Sequence, residues 1–512
     1  MSGIVLSASV RQNLLSLQST ADLLSTTQGR LASGKKVNSA LDNPTNYFTA
    51  AGLDNRAGDI SNLLDSIGNG VQILQAANTG ITSLQSLVDT AKSIANQVLQ
   101  TPVGYSTKSN FTSTAITGAT ASNLLGPGTA GSVTAGAFTT LNLGAGGSST
   151  FTVAVDGAAA KTITLNSANV TAYNAATGSA LNANSLSASD VASITNYQFG
   201  STIASVSAGK LVFTSGTTGV TSSVTTTAEV IAGGATGTTG VAVGTNTGTN
   251  PALTNETLTI AATGGGTATN ISFGTGAGQV STLNGLNAAL AANNLQASID
   301  TTGRINIVTT NDAASSTIGT IGGTATAFTS AVAPAAPVVD PNSQATRNSL
   351  VAQYNNVVNQ INTTAQDASF NGVNLLNGDT LKLTFNETGK STLSITGVTF
   401  NLGGLGLSNL TQGTDFLDNS SANKALTALN SASTTLRSEA STLGSNLSVV
   451  QIRQDFNKNL INVLQTGSSN LTLADTNEEA ANSQALSTRQ SIAVSALSLA
   501  NQSQQSVLQL LR

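Results

Sequence analysis

The sequence predicts a multidomain α+β protein: mainly α at both ends, as terminal antiparallel coiled coils and a helical bundle, with an inserted β-rich outer region. Narrow apolar stripes in heptad spacing occupy both ends of the chain. The middle is rich in Ser, Thr, Gly and Ala, broken by short alternating strands. The length of 512 residues exceeds one ordinary domain.

The first stripe is Val10, Leu14, Leu17, Ala21, Leu24 and Leu31, with Gln28 in the one missing place. Steps of four and three are the a/d seam of a coiled coil. Ser33-Gly34 ends the helix, because Gly adopts the left-handed conformation of a cap without strain. Residues 1–33 are therefore read as an amino-terminal helix, 34–48 as a linker and 49–104 as a helical layer. That layer carries a second seam at Ile60, Leu64, Ile67, Val71 and Leu74. After a three-residue slip the seam resumes from Ala77 to Val98, and Pro102 marks its end. Gly68, Gly70 and Gly80 lower its helix propensity, so packing has to hold it.

Residues 105–330 contain only ten charged side chains. Strand signals run at 149–155, 161–165, 210–214, 256–260 and 304–309, each alternating apolar and polar residues between Gly-containing turns. They predict one or two small β-rich domains. Two are favoured by a weak internal duplication: strand pairs, a short helical stretch (185–194; 280–290), then a strand after Gly209 or Gly303. Pro334, Pro337 and Pro341 stiffen a return linker over 331–343. Residues 344–420 then hold a helix, with Leu350, Tyr354, Val357 and Ile361 on one stripe, and a hairpin.

The carboxyl end mirrors the amino end. Leu426, Leu429, Leu436, Ala440, Leu443, Leu447 and Val450 form one seam inside a helical layer over 421–481, with Ser433 in a core place. The last helix, 482–512, reads Leu486, Ala493, Leu497, Ala500, Val507 and Leu511, with Gln490 and Gln504 in the gaps. Neither end helix has a face to bury against its own neighbours, and isolated helices of this kind are marginal in water. The ends are expected to fold only when they pair, antiparallel, with each other and with further copies.

Composition narrows the function. There is no Cys, no His and no Trp, so thiolate chemistry, Cys-ligated metal and the usual proton-transfer side chain are absent. With 42 charged residues in 512, the chain reads as no enzyme, with no cofactor and no metal site. A net charge of −4 with no basic run argues against nucleic-acid binding. No window reaches the ~18 apolar residues of a membrane span, and Met1 to Gln12 lacks the pattern of a cleavable signal. Export by a route that reads no such signal stays open.

Three segments carry a family resemblance. Arg30-Leu-Ala-Ser-Gly-Lys-Lys-Val-Asn-Ser-Ala-Leu-Asp42 resembles the amino-terminal signature of bacterial flagellins. Leu499 to Arg512 is similar to their carboxyl terminus, and Phe370-Asn-Gly-Val-Asn-Leu-Leu376 to an internal turn and strand. The resemblance covers about the first 100 and the last 165 residues. It implies an extracellular filament of one repeated protein, the bacterial flagellum, serving swimming motility. Subunits pass unfolded through a dedicated export apparatus, a chaperone engages the carboxyl helices, and growth occurs under a cap beyond hook-associated proteins. Carried onto this chain, residues 4–33 and 482–511 become lumen-lining helices. The polymerisation seam becomes Val10, Leu14, Leu17, Leu24, Leu31, Leu486, Leu497, Val507 and Leu511. The spoke motif becomes Arg30, Gly34, Asn38 and Asp42.

The chain departs from that pattern in three places. Asn43-Pro44-Thr45-Asn46-Tyr47 stands where much of the family has a second acid and small residues. The 370–376 element follows the variable middle instead of preceding it. Leu84-Gln85-Ser86-Leu87-Val88-Asp89 lacks the two Arg residues of immune-stimulating relatives, which implies weak activation of the flagellin-sensing receptor. For Asn38 and Asp42, ordinary turn chemistry is at least as good a reading as contacts between subunits. Two other functions remain open: a hook–filament junction protein, and a secreted Ser/Thr-rich adhesin. O-linked glycosylation of the outer region is also left open.

Overall fold

The computed structural model describes the backbone of residues 8–510 and the side chains of 8–506. Its helices are α1 (Ala8–Ser33), α2 (Pro44–Gln100), α3 (Ser167–Thr177), α4 (Ala188–Phe199) and α5 (Leu283–Ala291). They continue with α6 (Thr326–Thr329), α7 (Pro341–Asp367), α8 (Asn419–Thr472) and α9 (Thr476–Leu510). Long helices thus occupy both ends and short strands the middle, as the sequence predicts. Two compact units result. Residues 1–93, 354–409 and 426–512 make the first, and 94–353 with 410–425 make the second.

In the first unit α1 runs antiparallel along α9. Lys36 N donates to Thr472 O at 2.7 Å and Ala474 N to Gly34 O at 3.0 Å, so the end of α1 lies beside the start of α9. Ala57 and Ile60 of α2 pack with Leu464 of α8, flanked by Leu53, Leu460 and Ile461. α2 begins at Pro44, earlier than the 34–48 linker read from sequence. Proline suits the first helical position, where its missing N–H is not needed, and Asn43 Oδ1 caps the turn by accepting Asn46 N at 3.0 Å.

A hairpin of Thr380–Thr384 and Thr392–Thr396 completes this unit, and it explains two of the helix glycines. A Cβ on Gly70 would sit 2.5 Å from Leu383 Cδ2, and one on Gly80 would sit 2.6 Å from both Ala368 Cβ and Leu376 Cδ1. These positions trade propensity for close approach. The turn before the hairpin, Phe370 to Val373, places Asn371 at φ 51° and Gly372 at φ 81°. Positive φ at both central residues is the two-residue turn that matches strand twist. Asn374 then donates to Ala365 O and Gln366 O, each at 2.8 Å, and so caps the end of α7.

The second unit contains two β-rich lobes, one nested in the other. The host lobe buries Phe111, Leu124, Leu258, Phe273, Leu290 and Phe328 in its core, and the nested lobe buries Leu141, Phe151, Ile163, Val191, Leu211 and Phe213. Both repeat one plan. In the host, hairpin Thr257–Ile260 with Thr269–Ser272 precedes α5. Hairpin Leu295–Ile299 with Ile305–Thr309 follows, and Ile321–Gly322 returns to pair with the first strand. In the nested lobe, Ser148–Val155 with Lys161–Asn166 precedes α4. Ala204–Ser207 with Lys210–Thr214 follows, and Ser223–Thr226 returns to the first strand.

An earlier strand edges the second hairpin in each lobe, Asn110–Thr112 in the host and Ser132–Thr134 in the nested one. Even the side-chain staple recurs. Asn287 Oδ1 accepts Ala297 N at 2.6 Å, and Asn196 Oδ1 accepts Ala204 N at 2.7 Å. The lobes join by a neck in which Thr129 N donates to Thr249 O at 2.9 Å and Thr249 N to Thr129 Oγ1 at 2.8 Å.

The helix ends at the base of this unit converge on Arg347. Its side chain is fully buried. Nε donates to Pro102 O at 2.7 Å, and the terminal nitrogens reach Val98 O at 3.0 Å, Thr101 O at 2.9 Å and Asn419 Oδ1 at 3.2 Å, with Phe416 O also bound. One guanidinium thereby caps the last turn of α2 and ties it to α7 and to the entry of α8. Desolvation pulls its pKa down, and the nearby Asp418 carboxylate opposes that shift.

Candidate functional site

The residues read as an end seam fall on the α1–α9 pair with unequal burial. Val10 is 3% exposed, whereas Leu14, Leu17 and Leu24 are half-buried, and so are Leu486 and Leu497. Leu31 is 38% exposed and Gln28 is exposed. The side of α1 that meets its partner instead includes Thr20 and Thr27, both buried, and Thr20 Oγ1 donates to Ser16 O at 2.8 Å. Val507 lies on α9 with its side chain outside the described residues, and Leu511 lies outside them entirely. Apolar side chains also remain uncovered on other faces of the pair: Leu15 at 62%, Leu23 at 50%, Ile492 at 64% and Leu499 at 71%.

The four spoke residues lie around the turn that joins α1 to α2. Arg30 Nη1 meets Glu479 Oε1 at 3.4 Å, where Glu479 is 8% exposed. The cation sits at the last turn of α1 and the carboxylate in the first turn of α9, so each also faces the favourable end of a helix dipole. Gly34 adopts φ 69°, the left-handed cap. Asn38 Nδ2 donates to Lys35 O at 3.0 Å. Asp42 Oδ2 accepts Asn38 N at 2.9 Å, Ser39 N at 2.8 Å and the Ser39 hydroxyl at 3.2 Å. Those backbone donors, Ser39 first, hold the Asp42 carboxyl below its ordinary pKa. Asn38 and Asp42 therefore shape the turn. What the turn presents outward is apolar: Leu41 is 96% and Phe48 66% exposed.

α8 carries a feature the sequence reading missed. Its inward seam is Leu443, Val450, Asn457 and Leu464, all buried, with Asn457 Nδ2 donating to Phe385 O at 3.0 Å. A second stripe, Val449, Ile452, Phe456 and Val463, is 43–66% exposed. Its steps of three, four and seven are heptad spacing, and a count of alternate faces along α8 would have found it. In the segment 84–89, Leu84 and Val88 are buried, Gln85 and Leu87 are half-buried, and Ser86 and Asp89 are exposed. Asp89 pairs with Lys92 at 3.6 Å.

Nothing in this geometry assembles chemistry. Among the described residues no three carboxylates stand together as metal ligands, and no helix is long and apolar enough to cross a membrane. What the chain does present is helices with uncovered apolar stripes. Two of its regions match known family regions. Residues 5–115 match the bacterial flagellin N-terminal helical region, and residues 426–511 match the C-terminal helical region. Flagellin FljM of Caulobacter vibrioides is 34% identical over 167 residues, 32% of this chain and 60% of that protein. Flagellin FljO of the same organism is 33% identical over 172 residues, 33% of this chain and 62% of its own length. A flagellin of Brucella melitensis is 30% identical over 171 residues, 31% and 60% respectively. The chain thus spans about three fifths of the length of the relatives it matches. By its two helical ends and the turn that joins them, this chain belongs to the bacterial flagellin family.

Proposed function

We propose that this chain is the structural subunit of an extracellular bacterial flagellar filament, polymerising through its end helices and serving swimming motility. The carrying observation is the α1–α9 pair. Both helices of the pair hold each other by one narrow seam and leave Leu15, Leu23, Ile492 and Leu499 uncovered. Apolar area left in water is a driving force for association, at about 25 cal/mol per Å² buried. Both helices lie in the regions that match flagellin. Further copies of the chain are the partners that fit, so folding of the ends and assembly become one step.

Export in an unfolded state, a chaperone on the carboxyl helices, and cap and hook-associated partners belong to the same proposal. Electron microscopy of purified protein after salt-induced polymerisation tests it: filaments are expected. Monomers alone, with intact termini, would point to a junction protein or an adhesin. Limited proteolysis supplies a second check, since monomer should be trimmed at both ends and polymer protected. Ser86 and Val88 replace cations in the receptor segment, and Val88 is buried. We therefore propose weak stimulation of the flagellin-sensing receptor, and a potent response from purified monomer in a reporter assay refutes that.

A further inference from the structure

α8 is built to be covered on two sides, and its own chain covers one. The inward seam at Leu443, Val450, Asn457 and Leu464 is 0–6% exposed, whereas Val449, Ile452, Phe456 and Val463 are 43%, 65%, 56% and 66% exposed. The outward stripe is a complete a/d series once its polar member is included. Between Phe456 and Val463 the heptad requires position 459, and the residue there is Asn459, which is exposed. A single Asn in an otherwise apolar seam costs stability but fixes register, because its amide is satisfied at only one alignment.

We propose that this stripe is a contact with a second copy of the chain and that Asn459 sets its register. The proposal rests on the filament reading and adds to it the contact face and the residue that aligns it. Size points to a copy within a polymer. Four side chains along roughly 21 Å of helix, at 1.5 Å per residue, cover a few hundred Å² at most. A stable two-partner interface needs about 800 Å² from each side. The stripe is therefore too small to hold a separate partner by itself. It suffices where each copy is held by several neighbours at once through a repeated, non-closing contact. The charges beside it do not favour an ionic partner either: Lys458 is paired with Asp455 at 3.5 Å, and Arg453 lies over the Phe385 ring at 5.8 Å.

The test uses the full chain and three variants, Phe456→Asp, Ile452→Gln and Asn459→Leu. All three sites are exposed in the subunit, so circular dichroism and monomer unfolding should match wild type. Phe456→Asp and Ile452→Gln are expected to raise the critical concentration for salt-induced polymerisation at least tenfold. Asn459→Leu is expected to lower it and to change the helical twist measured by electron microscopy. Wild-type critical concentrations for both Phe456→Asp and Ile452→Gln would overturn the contact while leaving the filament reading intact. An unchanged twist in Asn459→Leu would overturn the register role. Failure of wild type to polymerise would sink the filament reading, and this proposal with it.

Discussion

Replacing Arg347 by Met keeps most of the side-chain volume and removes the guanidinium that binds three helix ends. In the native chain that group satisfies Val98 O, Thr101 O, Pro102 O and Phe416 O, all near fully buried side-chain atoms. Without it at least three of these carbonyls lose a donor in a place water does not reach. Each such orphaned group costs about 1–3 kcal/mol. Relief of the buried charge returns part of that loss, as substitutions of buried ionic groups by apolar ones show. The expected net effect is roughly 3–5 kcal/mol of destabilisation. For a unit of this size that corresponds to a fall in midpoint of about 10 °C. Differential scanning calorimetry of the full chain reads it, and the transition that shifts should be that of the β-rich unit. If Arg347→Met unfolds within 1 °C of wild type, the guanidinium is not what holds these helix ends together, and the reasoning fails.

Other expectations follow from single contacts. Gly80→Ala should destabilise by about 1–3 kcal/mol through overpacking against Ala368 and Leu376, although helix propensity alone favours Ala by about 1 kcal/mol. Chemical denaturation decides between the two signs. Arg30→Ala leaves Glu479 buried without its cation and should weaken the α1–α9 pair by about 1–3 kcal/mol, seen as faster proteolytic trimming of the ends. Asp42 and Asp156 both have lowered pKa values, from backbone donors at Ser39 and Asn38 and from Ser223 N with the Ser215 hydroxyl. A depressed carboxyl contributes stability that is present above its unfolded value and lost as pH falls through the folded one. The amide resonances of Ser39 and Ser223 should therefore stay constant from neutral pH down to the ordinary carboxylate range and move only below it.

The architecture was largely legible because its signals are local. Heptad steps marked α1, α2, α8 and α9, and alternation marked five strands, of which 161–166, 210–214 and 305–309 lie within a residue of the reading. Period 3.5 and period 2 are properties of the chain itself, set by how side chains project from each backbone. Even the duplication of the middle was visible, since each lobe repeats its elements in order. The helix start at Pro44 was misplaced because the seam residues that marked α2 begin only at Ile60, two turns or more inside it.

What the sequence could not state is which face of each helix its own chain would cover. Val449 and Val450 are adjacent and chemically identical, yet one is 43% exposed and the other fully buried. Only the packing of α2 and the 380–396 hairpin against α8 separates them. Arg347 is the same kind of case, a lone cation in a weakly charged stretch whose acceptors lie 245 and 249 residues upstream and 69 to 72 downstream. Periodicity determined that the ends are helices in need of partners. Tertiary structure decided where their stripes are already satisfied and where they remain open, because burial is a property of contacts between distant segments and not of any segment alone.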